Sequence, residues 1–107
     1  MMNRGDIYWV ALDPAKGAEI NKRRPCVLLG ATPVNQARST VVVVPLSSAS
    51  KPRPPLTIAV TCLGKKVVAV CDQIRAVDKS RLIDVAGHLS AHDLRALEDG
   101  LRQVLVL

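Results

Sequence analysis

The chain has no phenylalanine, one tryptophan and one tyrosine, so aliphatic side chains must carry its core. No apolar run approaches the roughly 20 residues needed to cross a bilayer. The start, Met1-Met2-Asn3-Arg4-Gly5-Asp6, lacks the apolar stretch of a signal peptide. A cytoplasmic protein with no membrane contact is expected. The three cysteines, Cys26, Cys62 and Cys71, are an odd count at wide spacing. That pattern fits neither a disulfide framework nor a Cys-x-x-Cys metal knuckle, and they read as reduced thiols at strand edges. His88 and His92 are the only histidines. A helix starting at Ser90 would leave His88 outside it, so no metal site is expected. Both lie in the C-terminal quarter, which argues against two-histidine acid–base chemistry. No glycine-rich phosphate loop, internal repeat or interdomain linker is visible. At 107 residues, a single domain over 1–107 is expected.

Charge is abundant and uneven. The chain carries 15 Lys and Arg against 9 Asp and Glu, and the excess lies before residue 82. Lys16, Lys22, Arg23, Arg24, Lys51, Arg53, Lys65 and Lys66 belong to that basic part. A basic face suits a polyanion or an acidic protein segment. A merely solvated surface would show the same excess.

Hydrophobic patterning points to short strands and one helix. Ile7–Leu12 is apolar and closes on Asp13-Pro14, a strand ending in a turn. Residues 13–24 read as a flexible polar loop, and 26–30 as a second strand. Pro33 and Asn35 mark another loop. The unbroken run Thr40–Leu46 is the strongest strand signal, and its lack of alternation implies burial on both faces. Residues 47–55, with three prolines, Lys51 and Arg53, read as a mobile basic loop. Strands over 56–62 and 67–71 flank Gly64-Lys65 as a hairpin. A turn at 78–81 and a short strand at 85–89 follow. Ser90 reads as a helix N-cap with Asp93 three residues on, and Leu94, Leu97, Leu101, Val104 and Leu105 form one apolar stripe. Five or six strands and a terminal helix imply a mainly β fold, a small barrel covered by a helix.

Loop 13–24 is the first place to look for chemistry. Pro25 restricts the backbone of Arg24 to an extended conformation. Arg24 is thus a guanidinium on a semi-rigid stalk, able to grip a phosphate through paired hydrogen bonds; a surface arginine at a strand start would look the same. Ser47 ends the valine-rich strand beside the basic loop and could bond a phosphate oxygen, or simply make a turn, as could Ser48. Asp72 and Gln73 end another strand and could contact a ligand or cap a turn. Adjacent Tyr8 and Trp9 point to opposite faces, so one can be core while the other stacks on a base or fills a partner surface. Glu19 is a plausible base, and Arg24 a plausible stabiliser of a pentavalent phosphorane. RNA supplies its own nucleophile, the 2′-hydroxyl, so such a centre needs no metal, cofactor or covalent residue.

An ordered series of motifs then carries a resemblance: Arg4-Gly5-Asp6-Ile7-Tyr8-Trp9, Leu12-Asp13-Pro14, Gly17-Ala18-Glu19, Arg24-Pro25-Cys26-Val27, Val44-Pro45-Leu46-Ser47 and Asp72-Gln73-Ile74-Arg75. From about residue 4 to the C-terminus the chain resembles the MazF/PemK/Kid toxins of type II toxin–antitoxin systems. The resemblance implies an SH3-like barrel with a terminal helix, as in the CcdB, MazF and Kid toxins. It implies a homodimer and a cognate antitoxin that blocks the RNA groove. It further implies metal-independent, sequence-specific cleavage of single-stranded RNA to a 2′,3′-cyclic phosphate and a 5′-hydroxyl, which inhibits translation. DNA is not expected as a partner of the toxin alone.

Arg24 matches the family's catalytic arginine, Ser47 stands where many members have a catalytic threonine, Glu19 matches the loop glutamate, and Asp72 an active-site aspartate of the Kid-like branch. Ala18 and Val70 replace a histidine and an arginine of that branch. Catalytic weight therefore falls on Arg24 and Ser47, with Glu19 beside them. Asp72, Gln73, Lys16, Lys22, Arg23, Lys51 and Arg53 are expected to bind substrate. A gyrase binder of the CcdB type on the same barrel, or an inactive RNA-binding module, remain the alternatives.

Overall fold

The computed structural model describes residues 2–107. Among them are seven strands and two α-helices: β1 (Asp6–Ala11), β2 (Arg23–Leu28), α1 (Thr32–Ala37), β3 (Thr40–Ser47), β4 (Thr57–Cys62), β5 (Lys65–Val70), β6 (Arg75–Asp78), β7 (Leu82–His88) and α2 (Ala91–Leu105). Short 3-10 turns at Cys71–Gln73 and Lys79–Arg81 link β5 to β6 and β6 to β7. The strands run antiparallel in the order β4-β5-β3-β2-β1-β7, with β6 also on β3. The valine run of β3 holds this curled sheet together. Its first half pairs with β6, its middle with β2, and its last two residues with β5.

The two sides of the sheet bury separate clusters. One packs Ile7, Val27, Val44, Leu46, Ile58 and Val60 against Leu97 and Leu101 of α2. The other gathers Tyr8, Val10, Leu12, Leu28, Val43 and Val77. Tyr8 is thus the aromatic of the second cluster, and Trp9, on the opposite side of β1, is half-buried. Ser90 caps α2 by accepting the Asp93 N–H (3.0 Å). The Asp93 carboxylate does not close the capping box. It accepts the Thr61 N–H (2.9 Å) and ties the helix start to β4. The Arg4–Glu98 ion pair (2.9 Å) fastens the chain entering β1 to the same helix.

Several expectations need correction. Pro33 and Asn35 lie in α1 and not in a loop, because proline fits a first helical turn whose N–H groups lack partners anyway. Residues 75–77, unassigned from sequence, and Asp78, read as the start of a turn, form β6, whose short length leaves one buried side chain, Val77, and so no readable period. The last strand begins at Leu82, three residues early. Arg23 and Arg24 stand on β2, not in the preceding loop. Val42 of β3 is 39% exposed, so that strand is not buried on both faces throughout. Cys26 sits inside β2. Leu105 leaves the apolar stripe of α2 at 44% exposure.

Candidate active site

The segment joining β1 to β2 is fastened along its length. At its neck the Leu12 N–H donates to the Lys22 carbonyl (2.8 Å), and the Lys22 N–H to the Asp13 carboxylate (3.0 Å). The Arg81 guanidinium donates to the carbonyls of Ala11 (3.2 Å) and Asp13. At the tip, Gly17 adopts a φ of +58°, which glycine accepts without strain. There the Lys16 N–H donates to Glu19 Oε1 (2.6 Å), and the Glu19 N–H to the Lys16 carbonyl (3.1 Å). Between neck and tip, Gln73 Nε2 donates to the Ala18 carbonyl (3.2 Å) while its Oε1 accepts the Ile20 N–H (2.6 Å). Arg75 donates to the Ile20 carbonyl (3.1 Å). The flexible loop expected from sequence is a held one.

The residues singled out from sequence line three concavities, one of them against this segment. Glu19, Asp72, Gln73 and Arg75 line one of about 320 Å³. Asp72 also borders a second, of about 380 Å³, whose cations are Lys51 and Arg53. The Thr57 hydroxyl shapes that second wall by donating to the Lys51 carbonyl (3.0 Å) and accepting the Arg53 N–H (2.6 Å). Arg24 lines a third, of about 370 Å³, with Trp9, Pro25, Ser48, Lys65 and Val67. Trp9 borders one more hollow on its other side, with Arg23, Ile83 and Asp84. Lys16 and Lys22 are exposed on the held loop.

The residues singled out from sequence thus fall into two groups. Glu19, Asp72 and Gln73 meet, and Asp72 joins them to Lys51 and Arg53. Arg24 and Glu19 line different concavities. Ser47 lies off the Arg24 concavity, which Ser48 lines instead, and Ser47 Oγ accepts the Ala49 N–H (3.2 Å). Strand register nevertheless relates Arg24 and Ser47. The β2–β3 ladder ends at Cys26 opposite Pro45, and carrying it two residues further sets Arg24 level with Ser47. Sequence reasoning does not place Lys65 or Arg75 at the site, and it leaves open which of Tyr8 and Trp9 reaches the site. The structure decides for Trp9: its neighbour Tyr8 takes the core, and β1 pairs Trp9 with Pro25, next to Arg24.

Cysteine chemistry is unsuited to this site. Burial pushes the Cys26 thiol up to about 12, against the pull of the Arg75 charge. Burial, reinforced by the Asp72 charge, raises Cys71 to about 11, and burial raises Cys62 as well. All three thiols stay neutral near pH 7, and a neutral thiol is a poor nucleophile. The groups that remain are guanidinium and ammonium cations, carboxylates and one half-buried indole.

The family model for the PemK-like, MazF-like toxins of type II toxin–antitoxin systems matches residues 3–105. The chain belongs to that family. Among similar members, the endoribonuclease MazF9 of Mycobacterium tuberculosis is 36% identical over 111 residues, covering 95% of this chain and 94% of its own. An endoribonuclease MazF of Staphylococcus saprophyticus is 29% identical over 106 residues, covering 94% and 88%. The fold matches that of MazF from Deinococcus radiodurans with a TM-score of 0.87, at 24% identity and coverage of 98% and 96%. It also matches a mycobacterial endoribonuclease solved with its cognate antitoxin, with a TM-score of 0.82, at 20% identity and coverage of 98% and 95%. The SH3-like barrel with a C-terminal helix, expected from the motifs, is the fold found.

Proposed function

We propose that this PemK/MazF-family toxin, acting as a single domain over 1–107, is a sequence-specific endoribonuclease that cleaves single-stranded RNA without a metal. The observation that carries the reading is the Arg24 concavity: a guanidinium on a proline-stiffened strand, flanked by Lys65 and by the half-buried Trp9. The 2′-oxygen attacks phosphorus and the bond to the 5′-oxygen breaks, leaving a 2′,3′-cyclic phosphate and a 5′-hydroxyl. A base takes the 2′-hydroxyl proton, and the departing oxygen gains one. Arg24 faces the charge that builds on the phosphorane, where a fixed cation stabilises the transition state more than the ground state. Ser47, level with it by register, positions the scissile phosphate. Glu19, in the separate concavity it shares with Asp72, is the candidate base, a role that requires the RNA path to join the two concavities.

Lys51 and Arg53 extend the cationic surface beyond Asp72 for flanking phosphates, and Lys16, Lys22 and Arg23 contribute charge around the held loop. Successive bases stack readily on an indole, which suits Trp9. The protein partners are a cognate antitoxin with acidic character, complementary to this basic face, and a second copy of the chain. Exposed Val42, Leu105 and Leu107, which line one apolar groove with Leu29 and Leu101, support a protein partner there. The setting is the cytoplasm, where messenger RNA is translated.

The test is to incubate the purified protein with single-stranded RNA in chelator and map the product ends. Fragments sharing a short motif, with cyclic phosphate and 5′-hydroxyl ends, are expected. RNA that is bound but left intact would reduce the protein to a binding module. RNA neither bound nor cut would favour a target such as gyrase.

A further inference from the structure

Gln73 was expected to touch RNA, yet its carboxamide is already engaged at both ends. Its Nε2 donates to the Ala18 carbonyl (3.2 Å) and its Oε1 accepts the Ile20 N–H (2.6 Å). These two main-chain groups flank Glu19. A primary amide carries a donor and an acceptor side by side, and the reversed orientation would set N–H against N–H. One residue therefore grips the loop on both sides of the carboxylate. Arg75 adds a third tie through the Ile20 carbonyl (3.1 Å). Its Nε is buried and has no hydrogen-bond partner among the described residues. Gln73 belongs to the 3-10 turn between β5 and β6, and Arg75 opens β6, which pairs through Val43 with the central strand β3. The clamp thus transmits the rigidity of the sheet to a loop segment without regular structure.

We infer that Gln73 and Arg75 are positioning residues: they clamp residues 18–20 so that Glu19 is presented to the concavity it shares with Asp72. This rests on the ribonuclease reading and on Glu19 working within it. Lost alignment at a reacting centre costs rate, and a displacement of about 1 Å can cost about a hundredfold. Substrate binding, spread over the basic surface, should hardly change.

The experiment compares Gln73→Leu and Gln73→Glu with wild type, each also combined with Glu19→Gln. Two quantities are read: the exchange rate of the Ile20 amide, and kcat and KM on a short RNA. In Gln73→Leu the Ile20 amide should exchange faster, and kcat should fall roughly tenfold to a hundredfold with KM changed by less than about threefold. Gln73→Glu keeps an acceptor for Ile20 but cannot donate to Ala18, so it should lie between. In the Glu19→Gln background the kcat loss from Gln73→Leu should vanish, because nothing is left to position.

Unchanged Ile20 exchange, a rise in KM at constant kcat, or a full loss persisting beside Glu19→Gln each overturns the clamp while leaving the ribonuclease reading standing. A Glu19→Gln enzyme with wild-type kcat removes Glu19 from the reaction, and the clamp's role with it, though Arg24 would still stand. A wild type that cuts no RNA refutes the ribonuclease reading itself.

Discussion

Carried two residues past its last pair, Cys26 with Pro45, the β2–β3 register sets Arg24 opposite Ser47. Pro25 removes the backbone donor that would have continued the pairing, and β3 turns away to join β5 through Leu46 and Ser47. The two strands make no ladder pair beyond Cys26 and Pro45.

The cationic border of Asp72 should be visible in the salt dependence of RNA binding. Each phosphate that a variant leaves unneutralised in a single-stranded complex lowers the slope of log K against log salt by about 0.7. Lys51→Ala and Arg53→Ala should each lower it by about that much. Arg95→Ala, on the exposed face of α2, should leave it unchanged. Titrations at several salt concentrations decide this, and equal slopes for all variants would remove Lys51 and Arg53 from the RNA path.

Gly100 lies in the middle of α2, where alanine would ordinarily stabilise a helix by about 1 kcal/mol. Here a Cβ would sit 2.8 Å from Ile58 Cγ1, 2.9 Å from Ile58 Cδ1 and 3.2 Å from Cys71 Sγ. Overpacking of that kind costs about 1–3 kcal/mol. Gly100→Ala should therefore lower stability by about 1 kcal/mol in urea unfolding. Ile58→Val, which shortens the opposing side chain, should make the same glycine replacement less costly. A Gly100→Ala protein more stable than wild type would show that α2 can move away from β4.

The buried thiols set an alkaline limit. With Cys26 raised from its ordinary 9.0 to about 12, and Cys71 to about 11, the unfolded chain loses these protons first as pH rises. Their contribution to stability is full below about pH 9 and declines from there towards pH 11–12. Urea midpoints measured between pH 7 and 10.5 should fall above pH 9. Cys26→Ala should flatten that fall even though it lowers stability overall.

Much of the architecture could be read from the chain, for physical reasons that differ by element. The valine run of β3, the alternation of Tyr8 and Trp9, and the Ser90 cap are local signals, and each is realised. The helix α1 was hidden because its signal is tertiary. Asn35 is 1% exposed, and its side-chain amide donates to the carbonyls of Gly30 (2.8 Å) and Met2 (3.2 Å). A residue type that marks turns in sequence is here a buried cross-link between neighbouring segments. The site was legible by residue type and not by grouping. Sequence placed Glu19 and Arg24 on one loop, whereas the fold directs Arg24 to Trp9 and Glu19 to Asp72. Gln73 was found as a site residue, but its two hydrogen bonds reach 53 and 55 residues back along the chain, a pairing no local pattern encodes.

The central claim is that Arg24 stabilises the transition state of RNA cleavage. The most direct measurement is single-turnover cleavage of a short single-stranded RNA by wild type, Arg24→Ala and Arg24→Lys, with RNA affinity measured in parallel. Removing a preorganised charge-stabilising group typically costs a factor of about 10² to 10³ in rate. Arg24→Ala should lose at least that much while retaining most of its affinity, and Arg24→Lys should recover only part, since an ammonium cannot offer the paired hydrogen bonds of a guanidinium. An Arg24→Ala protein that cleaves at the wild-type rate would contradict the account.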